Sequence, residues 1–194
     1  MKTTLLRSED YTRSPWKNGG GIFTDIAGAH RADSPVKDWN SLLWRFASTP
    51  IVAPGPFSYM PGIDRLQMVV KGRGLVLRSP GREFDEREPF TTVRFTGELE
   101  IVTALEAGPV EVVNLMARRG AAEIELAALR EPGERPLSAG THLVYAAHGD
   151  CRIRLGGEDF AISHECTLKV ELTEASSLAL VSGLAVLASI QLVG

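Results

Sequence analysis

The sequence has few cysteines and no long apolar segment, and each shortage excludes a class of protein. Two cysteines, Cys151 and Cys166, lie outside any C-x-x-C spacing, which excludes a disulfide scaffold and a zinc knuckle. The most apolar region, 178–193, is interrupted by serine, glycine and glutamine, so it is a poor candidate for a spanning helix. The first ten residues lack the apolar core of a secretory signal. These features predict a cytoplasmic protein that does not enter a membrane.

Charge of one sign is not in excess either. The chain has 21 Lys and Arg against 24 Asp and Glu, a net charge of −3, which argues against a nucleic-acid surface or a polybasic membrane patch. The two halves differ, however. Residues 1–97 carry 14 basic and 10 acidic side chains, whereas residues 98–194 carry 7 and 14. We therefore expect a small anionic metabolite as the partner, bound in the first half.

Apolar residues at helical spacing are scarce, and short alternating segments predict strands throughout the chain. Turn sequences such as Pro61-Gly62, Lys71-Gly72 and Gly156-Gly157 separate them. Many short strands with frequent turns are typical of an all-β sandwich or barrel. The candidate strands are 42–51, 65–70, 75–77, 92–95, 99–104, 110–116, 123–126, 141–146, 151–155, 167–172, 178–181 and 185–192.

A weak internal repeat indicates two halves. The segment from Arg65 to Gly72 aligns with the segment from His142 to Gly149, and a short alternating strand follows each copy. Both copies resemble part of the small jelly-roll barrel of cupins.

We therefore predict an all-β bicupin, in which two jelly-roll (RmlC-like) β-barrel halves pack together. Residues 1–130 are assigned to the first half and residues 131–194 to the second, with strand sharing between the second half and the N-terminal segment as an alternative. The polar, turn-rich segment 131–136 is predicted to be the loop that joins the halves.

The histidine and glutamate cluster with which many cupin barrels bind a metal is missing at the expected spacing. Counting back from Gly72 puts Arg65 at the glutamate position, and the two histidine positions fall within 58–61, where no residue is a good ligand. In the second half His142 occupies the glutamate position without a neighbouring His-x-His. We therefore predict a site without metal or other cofactor.

A guanidinium at this central position reverses the charge preference of the barrel. Arg65 would favour a carboxylate or phosphate instead of a cation, which makes it the leading ligand-binding candidate. The alternative is a structural salt bridge with Asp64 or another acid. Because Asp64 and Arg65 are neighbours on a strand, their side chains point to opposite faces and would need different partners.

Segment 15–21, Pro-Trp-Lys-Asn-Gly-Gly-Gly, is the most unusual local sequence. Three consecutive glycines suggest positive φ angles or a close backbone approach, while Lys17 and Asn18 add a cation and an amide. The Walker spacing for a phosphate loop is not met. The segment is either a tight glycine turn covered by Trp16 or a pocket wall. With Arg65 at the former metal position, we favour a wall whose Lys17 and Asn18 face Arg65.

Two further polar residues stand among apolar neighbours. Arg45 and Asn114 each require a partner, from the protein or from a ligand, because an unpaired buried polar group is costly. The turn that contains Phe57 and Ser58 is followed by Met60. We expect Phe57, Met60 and Trp16 to form the apolar walls of the pocket.

Five separated motifs together resemble the HutD/Ves family, in order and spacing from Pro15 to Arg119. They are Pro15-Trp16-Lys17-Asn18-Gly19-Gly20-Gly21, Trp44-Arg45, Gly55-Pro56-Phe57-Ser58, Pro61-Gly62-Ile63-Asp64-Arg65 and Asn114-Leu115-Met116-Ala117-Arg118-Arg119. The resemblance implies a bicupin and, for the bacterial HutD-like members, a link to histidine utilisation. There a role in sensing or limiting an intermediate such as formylglutamate or urocanate would be expected, with no established catalytic activity.

Three functions follow from these patterns. The first is a binding protein that holds a small carboxylate metabolite in a metal-free cupin pocket. The second is a metal-independent isomerase or hydrolase that uses Asp64, Tyr59 or His142 as acid or base. The third is a homodimer held together by the apolar last strands. No catalytic residue is assigned, and the candidate ligand-binding residues are Trp16, Lys17, Asn18, Arg45, Phe57, Ser58, Met60, Arg65 and Asn114.

Overall fold

The computed structural model describes residues 1–15 and 22–193, and these residues form strands joined by turns. The one helical element among them is the 3-10 turn Ser8–Asp10, and no helix in this part of the chain is long and apolar enough to cross a bilayer. The prediction of an all-β chain is confirmed. The described strands are β1 (Lys2–Leu6), β2 (Thr12–Pro15), β3 (Ile22–His30), β4 (Leu42–Ile51), β5 (Ile63–Lys71), β6 (Leu75–Ser79), β7 (Arg82–Glu86), β8 (Thr92–Thr96), β9 (Val102–Leu105), β10 (Val110–Arg118), β11 (Ala122–Leu129), β12 (Gly133–Leu137), β13 (Gly140–Leu155), β14 (Glu158–Ile162), β15 (Thr167–Leu172) and β16 (Ser176–Leu192).

The chain divides into two compact units. Unit 1 contains Met1–Tyr11 and Glu123–Leu192, and unit 2 contains Thr12–Ala122 and Val193–Gly194. Two of the candidate ligand-binding residues, Arg65 and Asn114, belong to unit 2.

Unit 2 contains a six-stranded and a three-stranded sheet. The strand order is β2-β3-β4-β10-β5-β8 in the larger sheet and β7-β6-β9 in the smaller one, with antiparallel pairing in both. Both sheets contribute to one apolar core, because alternate residues of each strand point to the same side. The buried members of this core are Ile51, Val69, Leu75, Leu77, Phe84, Phe95, Ile101, Val110 and Val112.

Unit 1 is built on a seven-stranded sheet with the main order β1-β15-β13-β16-β11, to which β12 adds beside β16 and β14 beside β13. The long strands β13 and β16 pair with each other, and their register shifts three times between Tyr145 and Ile153. Fifteen buried residues form its apolar core, including Val144, Ile153 and Leu178. A strand whose register shifts in this way bends at the irregular positions.

The structure corrects several strand predictions. Segments 141–146 and 151–155 form one strand instead of two, as do 178–181 and 185–192, because bulges accommodate residues that we interpreted as turns. The predicted joining loop 131–136 is wrong for most of its length, since Gly133–Leu137 pairs with β16. Strands β1, β2, β3, β7 and β12 were not predicted, because their polar and small residues weaken the alternating pattern.

Candidate functional site

The candidate site lies on the inner face of the six-stranded sheet of unit 2. Ile63, Arg65, Gln67 and Val69 alternate along β5, so their side chains share that face. The register places Arg65 opposite Met116 of β10 and Phe95 of β8. Residues that are directly opposite in an antiparallel pair have side chains on the same face. Met116 and Phe95 therefore lie on the same face of the sheet as Arg65.

Arg65 is the central cation of this face. It is 7% exposed, and its Nη2 donates a hydrogen bond of 2.8 Å to Oδ1 of Asn114, which is 3% exposed. The guanidinium carbon lies 4.9 Å from the ring centroids of both Phe57 and Phe95, within the range of cation–π attraction. Among the described residues Arg65 has no ion-pair partner, and its buried Nε has no hydrogen-bond acceptor.

A second polar pair lies beside Arg65. Gln67 donates a hydrogen bond of 2.8 Å from Nε2 to Oε2 of Glu86, and both side chains are 0% exposed. Glu86 is the last residue of β7, so this hydrogen bond joins the three-stranded sheet to the six-stranded one. The remaining oxygen of each group, Oε1 of Gln67 and Oε1 of Glu86, has no hydrogen-bond partner within the described ranges.

This polar layer lies between two apolar clusters. On one side of Arg65 along β5, Ile63 packs with Leu42, Met116 and the half-buried Met60. On the other side of Gln67, Val69 belongs to the main core of unit 2. The charged groups are therefore surrounded by apolar side chains, which strengthens electrostatic interactions between them and makes any unpaired polar atom costly.

Burial shifts the pKa values of both charged groups. Loss of solvation lowers the pKa of Arg65 to about 10, although the nearby Glu86 carboxylate opposes this effect. Loss of solvation also raises the pKa of Glu86 to about 8, against the lowering effects of the Gln67 hydrogen bond and of the Arg65 charge. At neutral pH Arg65 therefore remains cationic, while Glu86 is mostly in its neutral acid form.

Arg45 lies on the same face but is neutralised by the protein. Its guanidinium forms an ion pair with Asp25 of β3, and it lies 3.6 Å from the ring centroid of Phe23 and 5.1 Å from that of Trp39. Desolvation lowers the pKa of Arg45, and Asp25 counteracts the shift. The partner that the sequence required for Arg45 is thus a carboxylate of the protein, and the corresponding partner of Asn114 is Arg65.

The other candidate residues differ in their burial and in their distance from Arg65. Phe57 is half-buried beside Arg65, and its ring centroid is 6.1 Å from that of Phe95. Met60 is half-buried in the small apolar cluster, whereas Ser58 is exposed. The predicted pocket wall of Trp16, Lys17 and Asn18 lies outside the described residues, so their orientation towards Arg65 stays a prediction.

The acids and bases suggested for an enzyme have other surroundings. Asp64 accepts hydrogen bonds from Arg119, so it is not a salt-bridge partner of Arg65. Tyr59 is 67% exposed. His142 belongs to unit 1 and is buried there.

Both ring nitrogens of His142 are occupied. Nε2 donates to the backbone oxygen of Ser138 at 2.9 Å, so Nδ1 accepts from the hydroxyl of Ser189 at 2.9 Å. Desolvation lowers the pKa of this histidine, which favours the neutral ring. These contacts describe a packed histidine.

Sequence reasoning missed Gln67, Glu86 and Phe95. Gln67 could have been found, because it lies two residues from Arg65 on a predicted strand and therefore shares its face. Glu86 lies in the run Arg-Glu-Phe-Asp-Glu-Arg-Glu, 82–88, which reads as a solvated surface. Its side chain shares the inward face of β7 with Phe84, and this strand was not predicted. Among the described residues no group of three or more histidine, cysteine, aspartate or glutamate side chains is arranged to hold a metal ion.

The family model described as HutD matches residues 8–187. The chain belongs to the HutD family. The resemblance inferred from the five motifs is thereby confirmed. An uncharacterized 21.2 kDa protein in the hutC 3′ region of Pseudomonas putida is 30% identical to this HutD-family chain over 155 residues, covering 80% of this chain and 79% of the relative.

Solved structures support the same fold. A conserved protein of unknown function from Pseudomonas aeruginosa PAO1 matches with a TM-score of 0.85 at 25% identity, and HutD from Pseudomonas fluorescens SBW25, in a formate condition, with a TM-score of 0.81 at 24% identity. Both matches cover 100% of each chain. Salicylate 1,2-dioxygenase from Pseudoaminobacter salicylatoxidans covers 91% of this chain and 75% of its own with a TM-score of 0.58 at 8% identity. The HutD-family chain therefore has an all-β fold with structural neighbours among the cupins.

Proposed function

We propose that this protein binds a small carboxylate metabolite at Arg65 and acts in histidine utilisation as a sensor or regulator. The ligand class is an acid such as formylglutamate or urocanate, as the family resemblance implies. The position of the Pseudomonas putida relative in the hutC 3′ region supports the assignment to this pathway.

The observation that carries the proposal is the buried guanidinium of Arg65. A buried cation is stable when an anion pairs with it and acceptors satisfy its N–H groups, and an unpaired one costs several kcal/mol. Asn114 supplies one neutral acceptor, while the Nε–H has none within 1–15 and 22–193. A ligand carboxylate would supply both the charge and the missing acceptor.

The neighbours of Arg65 suit a small ligand. Phe57 provides apolar surface next to the cation, Met60 belongs to the adjacent apolar cluster, and Asn114 holds one end of the guanidinium in place. Arg45 already has Asp25 as its counter-ion, so it does not compete for the carboxylate. The site is expected to bind one carboxylate at Arg65.

Thermal unfolding in the presence of acids tests this proposal. At a concentration about 100-fold above the dissociation constant, a ligand specific for the folded state should raise the melting temperature by several degrees. We expect such a rise for at least one of acetate, formate, formylglutamate and urocanate, with sodium chloride at equal ionic strength as the salt control. The rise should be absent in R65M.

The matched control is R78M, because Arg78 is an exposed arginine on β6 of the same unit. R78M should respond to the acids as the wild type does. Stabilisation of R65M equal to that of the wild type would show that Arg65 does not bind the acid. If no acid stabilises the wild type, the binding function itself is wrong.

One observation favours a second function, a metal-independent isomerase or hydrolase. Glu86 has a pKa near neutrality because of its burial, and it lies close enough to Arg65 for their charges to interact. A carboxyl group of that kind can donate or accept a proton at neutral pH. Turnover of formylglutamate or urocanate by the wild type, and its loss in E86Q, would support this function.

We also propose that the two units are the two jelly-roll barrels of a bicupin and that the site works without metal. The repeat supports this, since Arg65 and His142 are both buried on a strand, and each is followed seven residues later by a glycine with positive φ, 78° at Gly72 and 71° at Gly149. Stoichiometric iron, manganese or zinc in protein purified without chelator would contradict the metal-free site.

A further inference from the structure

Gln67 and Glu86 each have a polar atom that could bind a ligand. Both side chains are fully buried, they bind each other through one atom of each, and each keeps one oxygen without a partner among the described residues. If this carboxyl–amide pair served only to join the two sheets, two apolar side chains would stabilise the folded state as well or better. The two remaining oxygens therefore point to a partner beyond those that residues 1–15 and 22–193 supply.

The protonation of Glu86 determines what these atoms offer. With Glu86 in the acid form, the pair presents one donor and one acceptor beyond its internal hydrogen bond, whichever way the Gln67 amide is turned. With Glu86 ionised, the pair presents two acceptors. The acid form is also the one compatible with a second anion near Arg65, because two carboxylates in an apolar setting repel each other.

We propose that Gln67 and Glu86 recognise an amide or imidazole group on the same ligand whose carboxylate binds Arg65. Such a group carries one N–H donor and one acceptor, which complements the donor and acceptor of the neutral pair. The inference rests on the proposed binding function and deepens it, because it assigns to Gln67 and Glu86 the selection of N-acylated amino acids and imidazole carboxylates over other carboxylates.

The spacing of the two subsites agrees with this ligand class. Arg65 and Gln67 are two residues apart on one strand face, a separation of roughly 6.6 Å. Asn114, opposite Gln67 in the register, is bound to Arg65 and so fixes the guanidinium next to the pair. A carboxylate and an amide separated by one or two carbon atoms can reach both subsites when the longer arginine and glutamine side chains converge on it.

Calorimetric titration with two isosteric acids tests the inference. N-acetylglycine carries an amide, whereas acetoxyacetate replaces its N–H by an ester oxygen; acetate serves as the probe for Arg65 alone. We expect the wild type to bind N-acetylglycine at least roughly tenfold more tightly than acetoxyacetate, since the ester leaves one group of the pair without a partner.

Variants locate the preference. E86Q keeps a neutral pair with donors and acceptors, so it should still prefer N-acetylglycine to acetoxyacetate. The double variant Q67M/E86M should bind these two acids equally and should still bind acetate. Replacing both partners by apolar residues avoids an unpaired buried group, so the double variant is expected to fold. Glu83, exposed on the same strand β7, provides the control E83Q, which should behave as the wild type.

The outcomes separate this inference from the function on which it rests. Equal wild-type affinities for the amide and the ester, with acetate bound, would overturn the amide-recognising pair and leave Arg65 as the carboxylate site. A preference that persists in the double variant would overturn it as well. Absence of binding by all three acids would instead contradict the proposed function itself.

Discussion

At the scale of single residues, Arg65 and Glu86 influence each other across the interior of unit 2. The positive charge of Arg65 favours ionised Glu86, but the loss of solvation is the larger effect and keeps the pKa of Glu86 raised to about 8. The same burial disfavours the charged form of Arg65. The site therefore holds a cation and a neutral acid at pH 7, which leaves a net positive charge for an anionic ligand.

The raised pKa of Glu86 predicts a specific pH dependence of stability. The folded state binds the Glu86 proton up to about pH 8, whereas the unfolded state releases it near the ordinary value of 4.5. Between these values the folded state holds more protons, so the free energy of unfolding falls as pH rises, by at most about 1.4 kcal/mol per pH unit from this group. The contribution is complete below pH 4.5 and lost above pH 8.

E86Q removes this titration while preserving the shape of the side chain. Urea unfolding at pH 5 and pH 8.5 should therefore show E86Q gaining stability relative to the wild type as pH rises. E83Q is the control, because Glu83 is exposed, and its difference from the wild type should lack this trend. A constant difference between E86Q and the wild type over this range would mean that Glu86 is ionised in the folded state at pH 5.

Sequence patterns singled out polar residues where the residue type was anomalous for its position. Arg65, which lies where the cupin pattern has glutamate, and Asn114, which lies among apolar neighbours, are both buried and are bound to each other. Glu86 was missed because the charged segment 82–88 was not predicted to be a strand. Within a strand, Glu86 lies on the same face as Phe84, two residues before it, and that face is buried.

At the scale of elements, tight turns between strands hold the polar layer in place. Gly72 follows β5 with a φ of 78°, and a Cβ added there would lie 2.6 Å from the backbone oxygen of Pro109. Gly81, between β6 and β7, has a φ of 71° but no atom within 4 Å of an added Cβ. The first turn thus depends on glycine for both conformation and space, and the second for conformation alone.

Alanine at these two positions separates the two effects. G81A should lower the free energy of unfolding by about 1 kcal/mol, the cost of a left-handed conformation for a residue with a Cβ. G72A should cost more, because the backbone of Pro109 must also move. Urea denaturation of both variants measures the difference. Equal losses would show that the turn after β5 relaxes without strain.

Element prediction worked best for short, regular strands. The predicted bounds Leu42–Ile51 and Thr167–Leu172 agree with the structure, because each segment alternates over part of its length and contains no glycine. β16 was divided in two because Gly183, with a φ of 83°, looks like a turn in the sequence. An added Cβ there would lie 2.5 Å from the backbone oxygen of Asp150, so the glycine permits a close approach within a continuous strand.

At the scale of the whole molecule, the sequence predicted the family and the all-β class but not the details of the architecture. Short strands, frequent turns and five ordered motifs are properties of the chain itself, so they can be read directly. The pairing of β1 with β15 depends on segments more than 150 residues apart, which no local pattern reveals. The assignment of residues 1–130 and 131–194 to two halves stays a prediction.

The most direct test of Arg65 as the ligand-binding residue is a crystal structure of the protein with N-acetylglycine. We expect the carboxylate within hydrogen-bond distance of Arg65 Nε, and the amide in contact with the free oxygens of Gln67 and Glu86. The carboxylate bound elsewhere, with Arg65 Nε satisfied by another group of the protein, would contradict Arg65 as the ligand-binding residue.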